Sequence, residues 1–393
     1  MNDAIEVCPL REVLQILMKE GWEGLSEAMT ILFNEAMKAE RAAALRAEPY
    51  QRTSQRRGYA NGYKPKRVKS RFGELLLQIP QVRGDVEFYP SALDKGERLE
   101  RALKLAMAEM YIKGVTTRRV SVVLEKLCGT RFTAADVSRT AKALDEELER
   151  WRNRPLGRTP YLILDARYEK VRMDGSVVSC AVLTAVGVRA DGRRSVLGTS
   201  VSVSEAEVHW REFLLSLKER GLHGLRLITS DEHAGLRAAL ETVFPGIPWQ
   251  RCQTHLQRNA AAFVPKEHLR EEVARDIRSI FDAPSREEAE RLLEKVVEKY
   301  RTKASRLSSW LEENIPEGLT VFLLPPHHRR RLRTTNMLER LHREIKRRTR
   351  VSGLFPNEAA LLRLVSAVLM ETSEEWESAE KVYLKWETDP CAG

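Results

Sequence analysis

The sequence predicts an α/β fold preceded by a helical, strongly basic amino-terminal region. Three observations carry this. Between Tyr161 and Cys252, short apolar stretches of strand composition alternate with turn signals and with two helical segments. Residues 1–50, 97–151 and 256–375 show helical periodicity instead. The tract from Gln51 to Arg71 holds eight Lys or Arg and no Asp or Glu. The 393 residues suffice for two or three domains of about 150 residues each. A content of 42% hydrophobic and 31% charged residues provides for a sizeable core. Lys and Arg number 66 against 56 Asp and Glu, a net charge of +10, which points to an anionic polymer as partner.

Residues 1–50 form the first expected segment. Leu14, Leu17 and Met18 recur at helical spacing, as do Ala28, Ile31, Leu32 and Ala36. Residues 51–92 form a basic arm with short strands. Tyr59 and Tyr63 interleave its cations, and Gly58, Gly62 and Pro65 prevent a long helix. A solvated linker fits such a run; a DNA-backbone-tracking arm fits its unmixed sign better. Arg56, Arg57, Lys64, Lys66, Arg67 and Lys69 are its expected phosphate contacts. RFGELLLQIPQVRGDVEFYP then reads as one or two strands around a Gly84–Asp85 turn.

Residues 93–153 return to helices. LERALKLAMAEMYIKG stops at Gly114, and two shorter helices follow, with Thr116 or Thr117 capping the first and Thr133 the second. Two short helices around a turn containing Gly129 have the shape of a helix-turn-helix, with Arg139 and Lys142 on the helix that would enter a major groove. A plain helical hairpin fits the same pattern.

Pro155 and Pro160 mark a linker, and residues 154–255 are the first part of the α/β domain. YLILDARYEKVR, VVSCAVLTAVGV and RRSVLGTSVSV are three strands joined by MDG and ADG turns. A helix, the buried strand LRLITS, a second helix and a fifth strand, IPWQRC, follow. This order is that of the ribonuclease-H-like fold. Residues 256–325 carry amphipathic helices only and read as an all-helical insertion. Residues 326–375 complete the α/β domain with two helices, and 376–393 read as a loose tail.

Several classes are excluded. No run of about 18 apolar residues exists, so no membrane span is expected. The first residues lack the pattern of a secretory signal. Cysteines at 8, 128, 180, 252 and 391 are odd in number and irregular in spacing, which argues for a reducing cytoplasmic location rather than a disulfide scaffold.

Three carboxylates carry the expected chemistry. Asp165 interrupts an apolar strand, where an unpaired carboxylate costs several kcal/mol. Either a salt bridge to Arg167 or Arg172 or a divalent cation would compensate it. Asp231 directly follows the strand LRLITS, at the end where α/β sheets place ligand groups; a helix-capping role competes. Glu339 lies in TTNMLERLHREIKRR, where Asn336 and Glu339 have capping-box spacing. Alternatively Asn336, Glu339 and Arg343 share one helical face. Between Arg329 and Arg350 there are ten Lys or Arg against two Glu, a density suited to phosphate contacts. From this stretch Arg343, Lys346, Arg347 and Arg348 are the expected contacts. Cys252 and His255 form a CxxH pair, which alone leaves a tetrahedral zinc site half built. Trp210, Trp249 and Cys180 read as core, and His327–His328 as a loop or a phosphate contact.

The segments DARYEKVR, ITSDEHAGL, WQRCQTHLQRNA and TTNMLERLHREIKRR resemble the landmarks of Mutator-type insertion-sequence transposases, and the likeness extends over nearly the whole chain. The resemblance implies a DDE transposase with a ribonuclease-H-like catalytic domain. Its catalytic and metal-binding carboxylates would be Asp165, Asp231 and Glu339, holding two Mg²⁺ ions (or Mn²⁺) about 3.5–4 Å apart. Cys252, His255 and Asn336 would support the active site. The partners would be double-stranded DNA, namely the element's terminal inverted repeats and the target, bound by a homodimer without membrane association in the bacterial nucleoid. A circular DNA intermediate is implied as well. Two other classes share parts of this pattern: a non-catalytic helix-turn-helix regulator and a metal-dependent nuclease that does not join strands.

Overall fold

The protein, seen in a computed structural model that describes residues 8–386, divides into two compact units between Ala143 and Leu144. No helix among the described residues is long and apolar enough to cross a membrane.

In the first unit α1 (Pro9–Glu20) packs on α2 (Leu25–Leu45). The helical spacing of α1 is as expected, but its buried residue is Val13, whereas Leu14 and Met18 face outward. α2 lies across a two-stranded antiparallel hairpin of β1 (Tyr59–Ser70) and β2 (Gly73–Arg83). Period-2 alternation explains β2: Leu75, Leu77 and Ile79 join Met37 and Val68 in one apolar cluster, while Glu74 and Leu76 point out. The turn thus falls at Arg71–Phe72 and not at Gly84–Asp85, and most of the basic arm is itself a strand. Its glycines disguise this. Gly62, at φ +73°, sits in an irregularity of the ladder between Ala60 and Tyr63, and the apolar partner strand overrides the weak strand propensity of the Lys residues.

α3 (Arg101–Ile112), α4 (Thr117–Cys128) and α5 (Ala134–Lys142) share a second cluster around Met107, Val120, Leu124, Phe132 and Val137. The caps are those expected. Thr116 Oγ1 accepts from Arg119 N–H, Gly129 ends α4 in the left-handed region, and Thr133 with Asp136 forms a reciprocal capping box.

The second unit is mixed α/β. It opens with α6 (Asp145–Arg152), which docks on a distant helix: Asp145 accepts two hydrogen bonds of 2.7 Å from Arg363, and Arg152 donates to Ser366. A five-stranded sheet follows with order β5-β4-β3-β6-β7. β3 (Tyr161–Met173), β4 (Ser176–Val188) and β5 (Arg194–Ser202) are an antiparallel meander. After α7 (Glu207–Glu219), β6 (Leu227–Ser230) returns parallel to β3; after α8 (Ala234–Val243), β7 (Trp249–Arg251) lies parallel to β6. The first β-turn has Asp174 and Gly175 both at positive φ, the geometry that keeps strand twist across a two-residue loop. α7 and α8 cover one face through Trp210, Phe213, Leu214, Leu236 and Leu240. Cys180 is in the core, as expected. Trp249 is half-buried and donates to Ser230.

Seven helices complete the unit: α9 (Gln253–Ala261), α10 (Arg270–Phe281), α11 (Arg286–Arg301), α12 (Ser305–Asn314), α13 (Pro326–Leu332), α14 (Asn336–Ser352) and α15 (Glu358–Ser378). α15 packs on β5, where Ser373 Oγ accepts from Val196 N–H at 2.9 Å. His328 is no solvated loop residue: it is buried on α13 between the Tyr161 hydroxyl and the Lys385 carbonyl.

The residues after α15 are not loose as far as Trp386. Tyr383 and Leu384 donate backbone hydrogen bonds to Gly192 O, and Trp386 stacks on Tyr161. Gly192 is required there, because a Cβ would stand 2.0 Å from Leu384 O. Aromatic side chains pin a segment whose polar composition suggested a tail. Its last residues, 387–393, lie outside the described part.

Candidate active site

Asp165 and Asp231 are brought together by strand register. Ile163 pairs with Thr229 across parallel β3 and β6, and each Asp lies two residues beyond its member of that pair. The shared offset places the two Asp residues side by side, one within β3 and one just past the end of β6. β7 pairs outside β6 and hands the chain to α9, whose first turn carries His255.

Glu339 arrives from α14, and three ties hold the loop before it. Thr229 Oγ1 donates to Leu332 O at 2.7 Å, and Gln253 N–H donates to Arg333 O at 3.0 Å. Thr335, fully buried, donates its N–H and its hydroxyl to Cys252 Sγ at 3.3 and 3.4 Å. The start of α14 is thereby fixed to β6, β7 and α9. The capping-box reading fails: Thr335 occupies the cap position without a side-chain cap, and Asn336 Oδ1 instead accepts from Thr254 Oγ1 at 3.2 Å.

Two of the three carboxylates flank His255, and the third lies against His342. His255 Nδ1 is 3.6 Å from Asp231 Oδ1 and its Nε2 is 3.6 Å from Glu339 Oε1. Glu339 also takes Arg258 Nη1 at 2.8 Å, and Asp165 Oδ2 is 3.4 Å from His342 Nδ1. The salt bridge weighed for Asp165 is not made: Arg167 pairs with Glu169 at 2.6 Å, and Arg172 is exposed without an ion pair among the described residues.

Electrostatics follow from this crowding. Burial pushes the Asp165 carboxyl up to about 7, partly offset by His255 and reinforced by Asp231. The Cys252 sulfur, then Asp231 and Asp165, hold His255 up to about 9 against its burial, so the imidazole is a cation at neutral pH. Burial raises the Cys252 thiol, but His255 and the two donors of Thr335 outweigh it, and the net shift is downward. Burial, with Arg167, takes His342 down to about 3, leaving it neutral beside Asp165.

Carboxylate oxygens brought close together, one of them on the buried Asp165, are the donors a hard divalent cation takes. No three of the Asp, Glu, His and Cys side chains among the described residues form a single ready cage. The fit is therefore to ions held by one or two carboxylates each, completed by water and phosphate, as Mg²⁺ prefers.

The expected DNA contacts divide. Arg57, Lys64, Lys142, Arg343 and Lys346 are exposed, and Arg67, Arg139 and Arg347 are exposed while paired with Glu74, Asp136 and Glu344. Others are turned inward. Arg56 donates to the Glu48 and Gln51 carbonyls, Lys66 to Tyr89 and Asp94, and Lys69 to Asp136 and the Arg131 carbonyl. Arg348 is a correction: it is buried, held by Glu344 at 2.8 Å and Glu371 at 3.6 Å, because its position on α14 faces the core. Arg258 and His342 were not singled out from sequence. Each lies three residues after a site residue, His255 and Glu339, and that helical spacing was the available signal.

The site is thus a carboxylate cluster on a mixed sheet: one carboxylate within β3, one just past the end of β6, and a third on a tethered helix. Comparison with known proteins gives the family. The profile described as "Transposase, Mutator family" matches residues 6–379. The chain is 55% identical over 384 residues to the transposase for insertion sequence element IS406 of Burkholderia multivorans, covering 97% of this chain and 98% of that one. It is 43% identical over 360 residues to the transposase for ISRM5 of Rhizobium meliloti, covering 91% and 90%. It is 34% identical over 364 residues to the transposase for IS256 in transposon Tn4001 of Staphylococcus aureus, covering 91% and 92%. The chain belongs to the Mutator family of transposases.

Proposed function

We propose that this protein is a DDE transposase with a ribonuclease-H-like catalytic domain that nicks the 3′ ends of its mobile element and joins them to target DNA. The observation that supports the reading is the gathering of Asp231 and Glu339 on the two nitrogens of His255, with Asp165, on the strand beside that of Asp231, against His342 one turn along the helix from Glu339. The three carboxylates would hold two Mg²⁺ ions, which when bound supply an activated water or 3′-hydroxyl and stabilise the leaving oxygen of an in-line displacement.

The chain's own residues have separate tasks. Asp165 and Asp231 present paired oxygens from rigid strands. His255 is a fixed cation that balances the carboxylates. Arg258, exposed and resting on Glu339, is placed to exchange that carboxylate for a phosphate oxygen. In the first unit α4 and α5 would act as a helix-turn-helix, with Arg139 and Lys142 toward DNA and the β1–β2 hairpin gripping backbone. A homodimer would hold two inverted repeats.

The test is a labelled duplex carrying the element's end, incubated with full-length protein and Mg²⁺, beside Asp165→Asn, Asp231→Asn and Glu339→Gln. We expect metal-dependent nicking and joining in the parent protein and a loss of about 10³-fold or more in each variant. Nicking without joining would instead give a nuclease. Binding without cleavage, unchanged in the variants, would give a DNA-binding regulator.

A further inference from the structure

A groove of about 960 Å³, wholly within the second unit, is lined by Gln253 and Gln257 of α9 and by Asn336 and Arg340 of α14, and not by His255 or Glu339. Its lining holds seven Arg or Lys side chains against three carboxylates. Two of those carboxylates are already engaged, Asp282 by Arg333 at 2.6 Å and Glu344 by Arg347 and Arg348. The groove's lining includes a cluster of three arginines from three elements: Arg194 at the start of β5, Arg331 on α13 and Arg340 on α14. None of them makes an ion pair among the described residues.

Arg194 is half-buried between two rings, 4.3 Å from the centroid of Trp376 and 4.8 Å from that of Tyr383. Arg331 sits 5.1 Å from the same Tyr383 ring, and the Tyr383 hydroxyl donates to its carbonyl. Two guanidiniums thus share one aromatic platform, with Arg340 near enough to add to the like-charge repulsion on Arg194. Cation–π contact offsets part of the desolvation, but it does not cancel charge. Clustered, partly desolvated guanidiniums that make no carboxylate pair of their own are complementary to phosphate oxygens.

The neighbouring surface says what kind of phosphate. Arg340, Arg343 and Arg347 stand at i, i+3 and i+7 on α14, one continuous row, and Arg343 is also one turn from Glu339. Glu339 to Arg347 spans about 12 Å at 1.5 Å per residue, longer than a single phosphate. A free nucleotide would fill one end of this track; a polymer fills all of it.

We infer that this groove is a second phosphodiester site, which carries DNA away from the carboxylates across Arg343 into the Arg340–Arg331–Arg194 cluster. The inference rests on the DNA-processing reading above and deepens it.

The test is equilibrium binding by the full chain in EDTA, with and without Arg331→Glu plus Arg340→Glu, both at exposed positions. The control carries Lys303→Glu plus Arg306→Glu, the same charge change at exposed positions at the start of α12 and just before it. Two duplexes are compared, one carrying the element's end with its flank and one of unrelated sequence. Each phosphate contact adds about 0.9 to the slope of log affinity against log salt, so losing two should flatten the slope by roughly 1.8 and weaken binding about tenfold or more. A loss on the flanked end alone identifies the flank as occupant, and a loss on both identifies sequence-independent DNA; either supports the site. Slopes and affinities matching the control on both duplexes would overturn it, as would unchanged DNA binding with an altered oligomeric state. Binding in EDTA requires no chemistry. A failed groove with intact Mg²⁺-dependent nicking therefore refutes this inference alone, and the converse refutes the catalytic reading alone.

Discussion

The two strand-borne carboxylates and the helix-borne one are held in different ways. Asp165 and Asp231 are positioned by backbone register in the middle of a sheet, where moving one relative to the other means breaking parallel pairing. Glu339 depends on side-chain and loop ties: Thr229 to Leu332, Gln253 to Arg333 and Thr335 to Cys252. Its carboxylate is also shared with an exposed arginine. Half the site is therefore fixed by the fold and half by removable contacts. Single substitutions can perturb the Glu339 arm without touching the sheet.

The largest such effect is expected at Cys252. Cys252→Ala leaves the buried Thr335 N–H and hydroxyl without their acceptor, at a cost of about 1–3 kcal/mol each for unsatisfied groups. A hydroxyl restores an acceptor, so Cys252→Ser should recover most of it. Thermal unfolding of the two variants reads the difference, with nicking activity falling further than stability in Cys252→Ala because Glu339 loses its anchor. Equal behaviour of Ala and Ser would show that the sulfur acts through His255 and not through Thr335.

A smaller effect is expected at Arg258. Its ion pair with Glu339 is 60% exposed on the Arg side, so Arg258→Ala should change stability by no more than about 0.5 kcal/mol. It frees Glu339, and the Mg²⁺ midpoint for any metal-linked signal should fall by about two-fold. At saturating Mg²⁺ the same variant should turn over more slowly if the guanidinium grips phosphate. A variant with unchanged turnover would leave Arg258 as a resting partner of Glu339 only.

The same contrast sets what was legible in the sequence. The meander, its turns at Asp174–Gly175 and Asp191–Gly192, and the caps at Thr116 and Thr133 are local signals, and local chemistry decides them. Asp165 and Asp231 stood out because a carboxylate beside an apolar strand is a local anomaly. The β1 strand was hidden because its pairing depends on β2, across seven exposed residues that include Gly62. The pinned segment around Tyr383 was hidden for the same reason: its partners, Gly192, Tyr161 and Arg194, lie about 190 or more residues earlier. Arg348 was misjudged because a run of cations shows no period in charge, although helical spacing from Leu341 and Ile345 turns it toward the core.

The weakest perturbation acts through acid. Glu344 accepts from Arg347 at 2.7 and 2.9 Å and from Arg348 at 2.8 Å, and these arginines, Arg347 first, hold its carboxyl down to about 2. Because the folded value lies below the ordinary carboxylate value of about 4.3, the stabilisation is complete above that value. It is lost as pH falls from about 4.3 through about 2. Unfolding followed across that window should show an acid limb that Glu344→Gln flattens, with little difference between the two proteins at pH 7 beyond the lost pair. Glu344 shares α14 with Glu339, and its own partners are on that helix, whereas the sheet meets α14 at other positions, His342 and Thr349. Acid should therefore loosen the helix-borne half of the site before the strand-borne half. Amide exchange along α14, rising ahead of exchange in β3 and β6 as pH drops toward 3, would show that order, and simultaneous exchange would show that the two halves melt as one.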